Sequence, residues 1–190
     1  MREMGNIYLI GFMGVGKTTV SKQLREEMDW EEVDTDKMIV SRKKMGIPEI
    51  FEKYGERYFR DLETNMLRDL AKEERKIVSC GGGVILKEEN CRIMKSSGKV
   101  VLLTASPQTI YEHVKKGKDR PLLNGNMNPA YIEKLMEERK PCYELAKDVE
   151  IVTDGLNPQE VAEEIIRVLE LHSCRRERLE EREKNSDTGH

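Results

Sequence analysis

Eight residues near the amino end carry the clearest chemical pattern in the chain. Gly11-Phe12-Met13-Gly14-Val15-Gly16-Lys17-Thr18 fits GxxxxGK[ST], follows a short apolar run and precedes a helical pattern. A glycine turn in that context aims backbone N–H groups at phosphate oxygens, the helix start adds partial positive charge, and Lys17 supplies a full one. Thr18 is then placed to ligate Mg²⁺. The expected nucleotide contacts are Gly14, Val15, Gly16, Lys17, Thr18 and Thr19. Such a loop fixes a nucleotide and leaves the phosphate acceptor open.

Candidates for the acceptor side stand farther along. Asp34-Thr35-Asp36 sets two carboxylates directly after a strand-like run, where one could help hold a metal and the other meet a substrate hydroxyl. Asp and Thr also cap helices, and pattern alone leaves both readings open. Arg60 and Glu63 are one helical turn apart, so that the planar fork of the arginine could grip a carboxylate while the acid orients it, or the two could form a solvated surface pair. Gly81-Gly82-Gly83 would let a ligand approach the backbone, or would simply make a flexible turn. Arg120 and Arg139 are further cations, each also readable as surface charge.

These groups need a scaffold, and the chain offers a β-then-α rhythm. Strand-like runs at Asn6–Ile10, Glu32–Asp34, Lys76–Cys80, Lys99–Leu103 and Val149–Val152 are separated by helical patterns, the longest running unbroken from the second strand through Arg75. That alternation predicts an α/β fold, a five-stranded, mostly parallel sheet between two helical layers. Helix starts are marked where a capping residue precedes proline, at Ser106-Pro107, Asn128-Pro129 and Asn157-Pro158. Between Lys115 and Asn128 a segment rich in Gly, Lys, Asn and Pro breaks the periodicity and reads as a mobile loop, or as a plain surface connection. Residues 1–170 are expected to form one unit, with a charged tail or helical extension over 171–190.

Composition narrows the function. Net charge is -3 with acids and bases interleaved, so no broad positive face exists for nucleic acid, and an anionic ligand must be held by a local cluster. Cys80, Cys91, Cys142 and Cys174 form no CxxC pair and read as reduced thiols. No apolar stretch approaches the roughly 20 residues that a bilayer requires. A cytoplasmic protein acting as a monomer, with no membrane partner, is expected.

In order and spacing, these motifs together resemble the shikimate kinase family from about Asn6 to Leu169. The resemblance rests on the GFMGxGKT loop, the DTD at 34–36, the FExxGExxFRxxE stretch from Phe51 to Glu63, the triple glycine, the RPLL that begins at Arg120, and the RxxxY from Arg139 to Tyr143. It implies a P-loop kinase with a lid at about 115–128 that moves the γ-phosphate of ATP to the 3-hydroxyl of shikimate, a step of aromatic amino-acid (chorismate) biosynthesis. By that resemblance Arg60 and Arg139 grip the substrate carboxylate, Asp36 meets the ring hydroxyls and is the candidate base, and Gly81, Gly82 and Gly83 support the ring. Phe51 and Phe59 wall the substrate, Asp34 assists Mg²⁺ with Thr18, and Arg120 joins Lys17 at the transferring phosphate. The third strand ends in Ser79-Cys80 without the metal-binding carboxylate usual in P-loop enzymes, a trait the family shares, which leaves Asp34 as the substitute. Two departures stand out: His113-Val114-Lys115-Lys116 stands where an adenine-stacking arginine is expected, and the tail has no counterpart. A gluconate kinase-like enzyme and a non-catalytic nucleotide-binding relative are the competing readings.

Overall fold

The computed structural model describes residues 5–115 and 128–171. Five strands, β1 (Asn6–Ile10), β2 (Glu31–Asp34), β3 (Lys76–Ser79), β4 (Gly98–Thr104) and β5 (Val149–Val152), form one sheet in the order β2-β3-β1-β4-β5, with every neighbouring pair parallel. A parallel sheet covered on both faces needs strands that are apolar on both sides. In β1 every residue is buried. Ile7 and Leu9 join one core cluster while Tyr8 and Ile10 join the other, as the period of two requires.

Among the described residues seven helices supply the outer layers: α1 (Lys17–Met28), α2 (Thr35–Lys43), α3 (Ile47–Leu70), α4 (Glu88–Ser97), α5 (Pro107–Val114), α6 (Pro129–Ala146) and α7 (Pro158–Val168). Val20, Leu24 and Met28 of α1 pack with Val161, Ala162 and Ile165 of α7 on one face of the sheet. Met66, Leu67 and Leu70 of α3 pack with Met94 of α4 on the other. All three expected proline starts are capped: Ser106, Asn128 and Asn157 accept from the backbone N–H groups of Thr109, Tyr131 and Glu160, and Glu160 returns the bond to complete a capping box. Among the described residues no helix is long and apolar enough to cross a membrane.

Two expectations are corrected. The helical stretch after β2 is broken, because Lys44 turns left-handed with its N–H on Val40 O and α3 restarts after Gly46 with Pro48 in its first turn. Inside α3 Gly55, at φ 82 and ψ 167, bends the axis between Phe51 and Phe59. The strand-by-strand reading also lacks the 3-10 turn Val84–Leu86 and α4, which follow the triple glycine.

The connection leaving β1 runs toward the β2 edge, whereas those leaving β3 and β4 run toward the β5 edge. The crevice this creates lies over the carboxyl ends of β1 and β3, the general ligand position of open parallel sheets. At the opposite end buried Asn6 pins the α3–β3 turn, its amide donating to Leu70 O and Glu73 O while its carbonyl accepts from Lys76 N.

Candidate functional site

A cleft of about 1380 Å³ opens at that switch point, and every described candidate residue lines it, from the glycine turn through the two aspartates and the triple glycine to Arg139. Arg120, Cys174, most of the lid segment and the charged tail lie outside the described residues.

At one end the turn after β1 leads straight into α1. Gly14 and Gly16 adopt φ of 80 and 100, a region that side chains rarely enter, and Gly16 caps the helix without a side-chain bond. The amides at this helix start are thereby left to face a ligand, as an anion cradle requires. Lys17 folds over the same turn, its Nζ donating to Gly11 O at 2.7 Å and Phe12 O at 3.1 Å. Thr18 Oγ1 donates to Asp34 Oδ2 at 3.3 Å, while Asp34 Oδ1 accepts from Lys37 N at 3.0 Å. Asp34 is thus a helix cap, one of its two sequence readings, and also a neighbour of the loop.

Two hard oxygen groups side by side, a hydroxyl and a carboxylate, suit Mg²⁺, which takes few protein ligands and completes its shell with phosphates and water. Among the described residues no group of three or more His, Cys, Asp or Glu could hold a metal unaided. Cys80 is buried and burial pushes its thiol far up, so it remains protonated behind the site.

The other end is assembled from four elements. Asp36, in the first turn of α2, has Oδ1 buried without a hydrogen-bond partner. Burial, reinforced by the Asp34 carboxylate, raises the Asp36 carboxyl above its ordinary range, with Lys17 and Arg60 opposing. Across from it Arg60 Nη1 donates to Glu63 Oε2 at 2.7 Å, and its Nη2 to Glu56 Oε1 at 3.0 Å. Glu63 is only 2% exposed, so this is no solvated surface pair. Burial also lifts the Glu63 carboxyl, against the pull of Arg60. Arg139 comes from α6, over the ring of Phe12 at 5.6 Å and with Nη1 3.3 Å from Gly82 O.

The triple glycine makes room for these groups. A Cβ on Gly81 would stand 2.6 Å from Asp36 Oδ1, and one on Gly83 would overlap the Arg60 guanidinium, 2.6 Å from Cζ. Close approach is needed here, and by the protein's own charged side chains. Phe51 and Phe59 stack at 4.9 Å across the Gly55 bend, Phe59 buried in the core and Phe51 half-buried against it, and both line the cleft.

Sequence reasoning singled out the stretch that begins at His113 but missed Thr153, Leu156 and Pro158, which line the cleft with it beyond the glycine turn. His113 Nδ1 lies 2.8 Å from Gly14 O, tying α5 to the turn. The position of residues 153–158 just past β5, at the same carboxyl edge of the sheet, was the available signal.

A phosphate-cradling turn at the switch point of a parallel sheet, facing two guanidinium groups and a buried carboxylate, defines a P-loop phosphotransferase with a small anionic acceptor. A family model describing shikimate kinase matches residues 13–170, and the chain belongs to that family. It is 42% identical to the shikimate kinase of Thermodesulfovibrio yellowstonii over 88% of this chain and 96% of that protein. Its identity to the shikimate kinase of Caldanaerobacter subterraneus subsp. tengcongensis is 41%, over 86% and 95%. Among solved structures, shikimate kinase from Acinetobacter baumannii in complex with shikimate superposes with a TM-score of 0.83 at 32% identity, covering 89% of this chain and 94% of that one. The Aquifex aeolicus shikimate kinase gives 0.73 at 37%, covering 88% and 98%.

Proposed function

We propose that this chain transfers the γ-phosphate of ATP to the 3-hydroxyl of shikimate, forming shikimate 3-phosphate in aromatic amino-acid biosynthesis. One observation carries the reading: Arg60 and Arg139, from different helices, both border the triple glycine, with Asp36 beside them and Lys17 in the same cleft. Two planar guanidinium groups suit the carboxylate of the acceptor, and a neighbouring carboxylate suits its hydroxyls. Gluconate also carries a carboxylate and hydroxyls, so the preference for shikimate over a gluconate kinase-like acceptor is supported by the family match rather than by this set alone.

Phosphoryl transfer has a loose transition state, so alignment and charge stabilisation supply most of the catalysis. Arg60, held by Glu63 and Glu56, and Arg139, held by Gly82 O and Phe12, orient the acceptor. Asp36 accepts the hydrogen bond of the attacking hydroxyl, and its raised pKa brings it closer to the range of a working base. Lys17 leaves the carbonyls of its own loop for the phosphates. Thr18 and Asp34 would hold Mg²⁺, which supplies charge neutralisation at the phosphate oxygens. The rim of His113, Thr153, Leu156 and Pro158 offers room for the adenine. Arg120 is assigned to the phosphates by family resemblance alone.

Coupled ADP release with Mg²⁺ and ATP, comparing shikimate, gluconate and no acceptor, tests the proposal. Shikimate-dependent turnover is expected, and turnover with gluconate alone would overturn the acceptor assignment. ATP binding without turnover on either compound would favour a non-catalytic relative.

A further inference from the structure

We propose that Thr35 is a positioning residue for the acceptor end: its hydroxyl adds one side-chain rung to the β2–β3 ladder and so sets the Asp36 carboxylate against the Gly81–Gly83 backbone. The proposal rests on the shikimate-phosphorylating reading above. Backbone pairing of β2 with β3 ends at Asp34 opposite Ser79. One residue on, the Cys80 N–H turns to β1 and donates to Leu9 O at 3.0 Å. Gly81 N–H, past the end of both ladders, donates instead to Thr35 Oγ1 at 3.0 Å. The same hydroxyl reaches back toward Ser79 O at 3.5 Å, the outer limit of a hydrogen bond.

Thr35 is 2% exposed, so bulk water does not compete for either contact. Asp36 is the next residue, and its Oδ1 stands 2.6 Å from where a Cβ on Gly81 would lie. The far end of the loop is held separately, by Val84 N on Gly81 O at 3.1 Å and by buried Asn90, whose Nδ2 donates to Val84 O at 2.9 Å. Those ties shape the loop, while the Thr35 rung joins it to the element that carries Asp36. Serine keeps the hydroxyl, whereas valine keeps the β-branched shape without it.

Steady-state kinetics of Thr35→Val and Thr35→Ser separate positioning from packing. For Thr35→Val the KM for shikimate should rise about tenfold and kcat fall about tenfold, the size expected when a buried donor loses its partner. KM for ATP should stay near the wild-type value, and Thr35→Ser should recover most of both losses. A Thr35→Val enzyme with a lower melting temperature but wild-type kcat and shikimate KM would overturn the proposal, as would a serine variant that recovers nothing. If the valine variant does not fold, amide hydrogen exchange of the wild-type protein decides. Gly81 should exchange as slowly as the ladder amides of Val78 and Ser79, and exchange at the rate of an open loop would overturn the tie. Absence of shikimate turnover in the wild type would instead overturn the functional reading and leave the exchange result standing.

Discussion

In the proposed reaction the working groups at the nucleotide end of the cleft are mostly backbone N–H groups of one contiguous turn, while those at the acceptor end are side chains delivered by α2, α3, α6 and the loop after β3. The first end depends on glycine conformations at 14 and 16, and the identity of most neighbouring side chains matters little. The second depends on charged groups that hold one another, Glu63 on Arg60 and Gly82 O on Arg139, with Asp36 left partly unsatisfied in their midst. A backbone cradle forms wherever the turn forms. A cluster of part-buried charges exists only when distant elements meet in register, and it holds unfavourable groups in readiness for a ligand.

The largest expected effect is at the nucleotide end, at Lys17, which brings a full positive charge to the glycine turn. Lys17→Ala should lower kcat on the order of 10³-fold, as removal of a charge aimed at the transition state does. Retained ATP-dependent turnover would mean that the backbone cradle alone suffices. Next comes Asp36→Asn, with an expected fall in kcat of about 10²–10³-fold, the scale of lost general-base or positioning help.

Asp36→Asn should also change stability, with a sign fixed by the raised carboxyl. Burial, then Asp34, disfavours the anion, so the folded protein holds a proton that the unfolded chain releases at lower pH. The contribution of this group to stability is full below the unfolded carboxyl range and is lost as pH rises through the raised folded value. Thermal unfolding should therefore find the asparagine variant a few degrees more stable than wild type at about pH 8, with the gap closing toward about pH 3.5. Equal melting curves at both pH values would mean that Asp36 is not strained in the free enzyme. A smaller effect is expected from Arg139→Ala: loss of a charge-assisted contact of about 2 kcal/mol should raise the KM for shikimate roughly 30-fold and leave that for ATP nearly unchanged. An unchanged shikimate KM would remove Arg139 from the acceptor end.

The same contrast decides what could be read from the chain beforehand. The five strands and the glycine turn are local patterns, as are the capped starts at Ser106, Asn128 and Asn157, and all of them form where the residues indicate. The break after α2 hid because Gly46 and Pro48, its real markers, interrupt a stretch whose polar and apolar spacing continues across them. Helix α4 hid for a different reason: buried Asn90 takes a core-facing position beside Cys91 and Met94, so a polar residue interrupts its apolar stripe. Thr35 reads as a spacer between two aspartates, since its role depends on Asp34 standing opposite Ser79 across two strands that are distant in sequence. Roles that rest on register are invisible to any window along the chain.

The glycines at 82 and 83 give the finest test of the acceptor end, because they differ in what an added methyl would meet. Gly83 has φ of -97 and ψ of 1, open to any residue, so Gly83→Ala strains no backbone. Its Cβ would instead force the Arg60 guanidinium out of its place beside Glu63. At Gly82 the nearest side-chain atom is Arg139 Nη1 at 3.8 Å, an ordinary contact. Moving Arg60 off its rotamer costs about 1 kcal/mol, so Gly83→Ala should raise the KM for shikimate about fivefold to tenfold, with ATP unaffected. Gly82→Ala should do less than this, and paired titrations of the two variants with shikimate would measure the order directly. The reverse order would place the critical space between Gly82 and the bound acceptor, and would make Arg60 a group that yields rather than one held in advance.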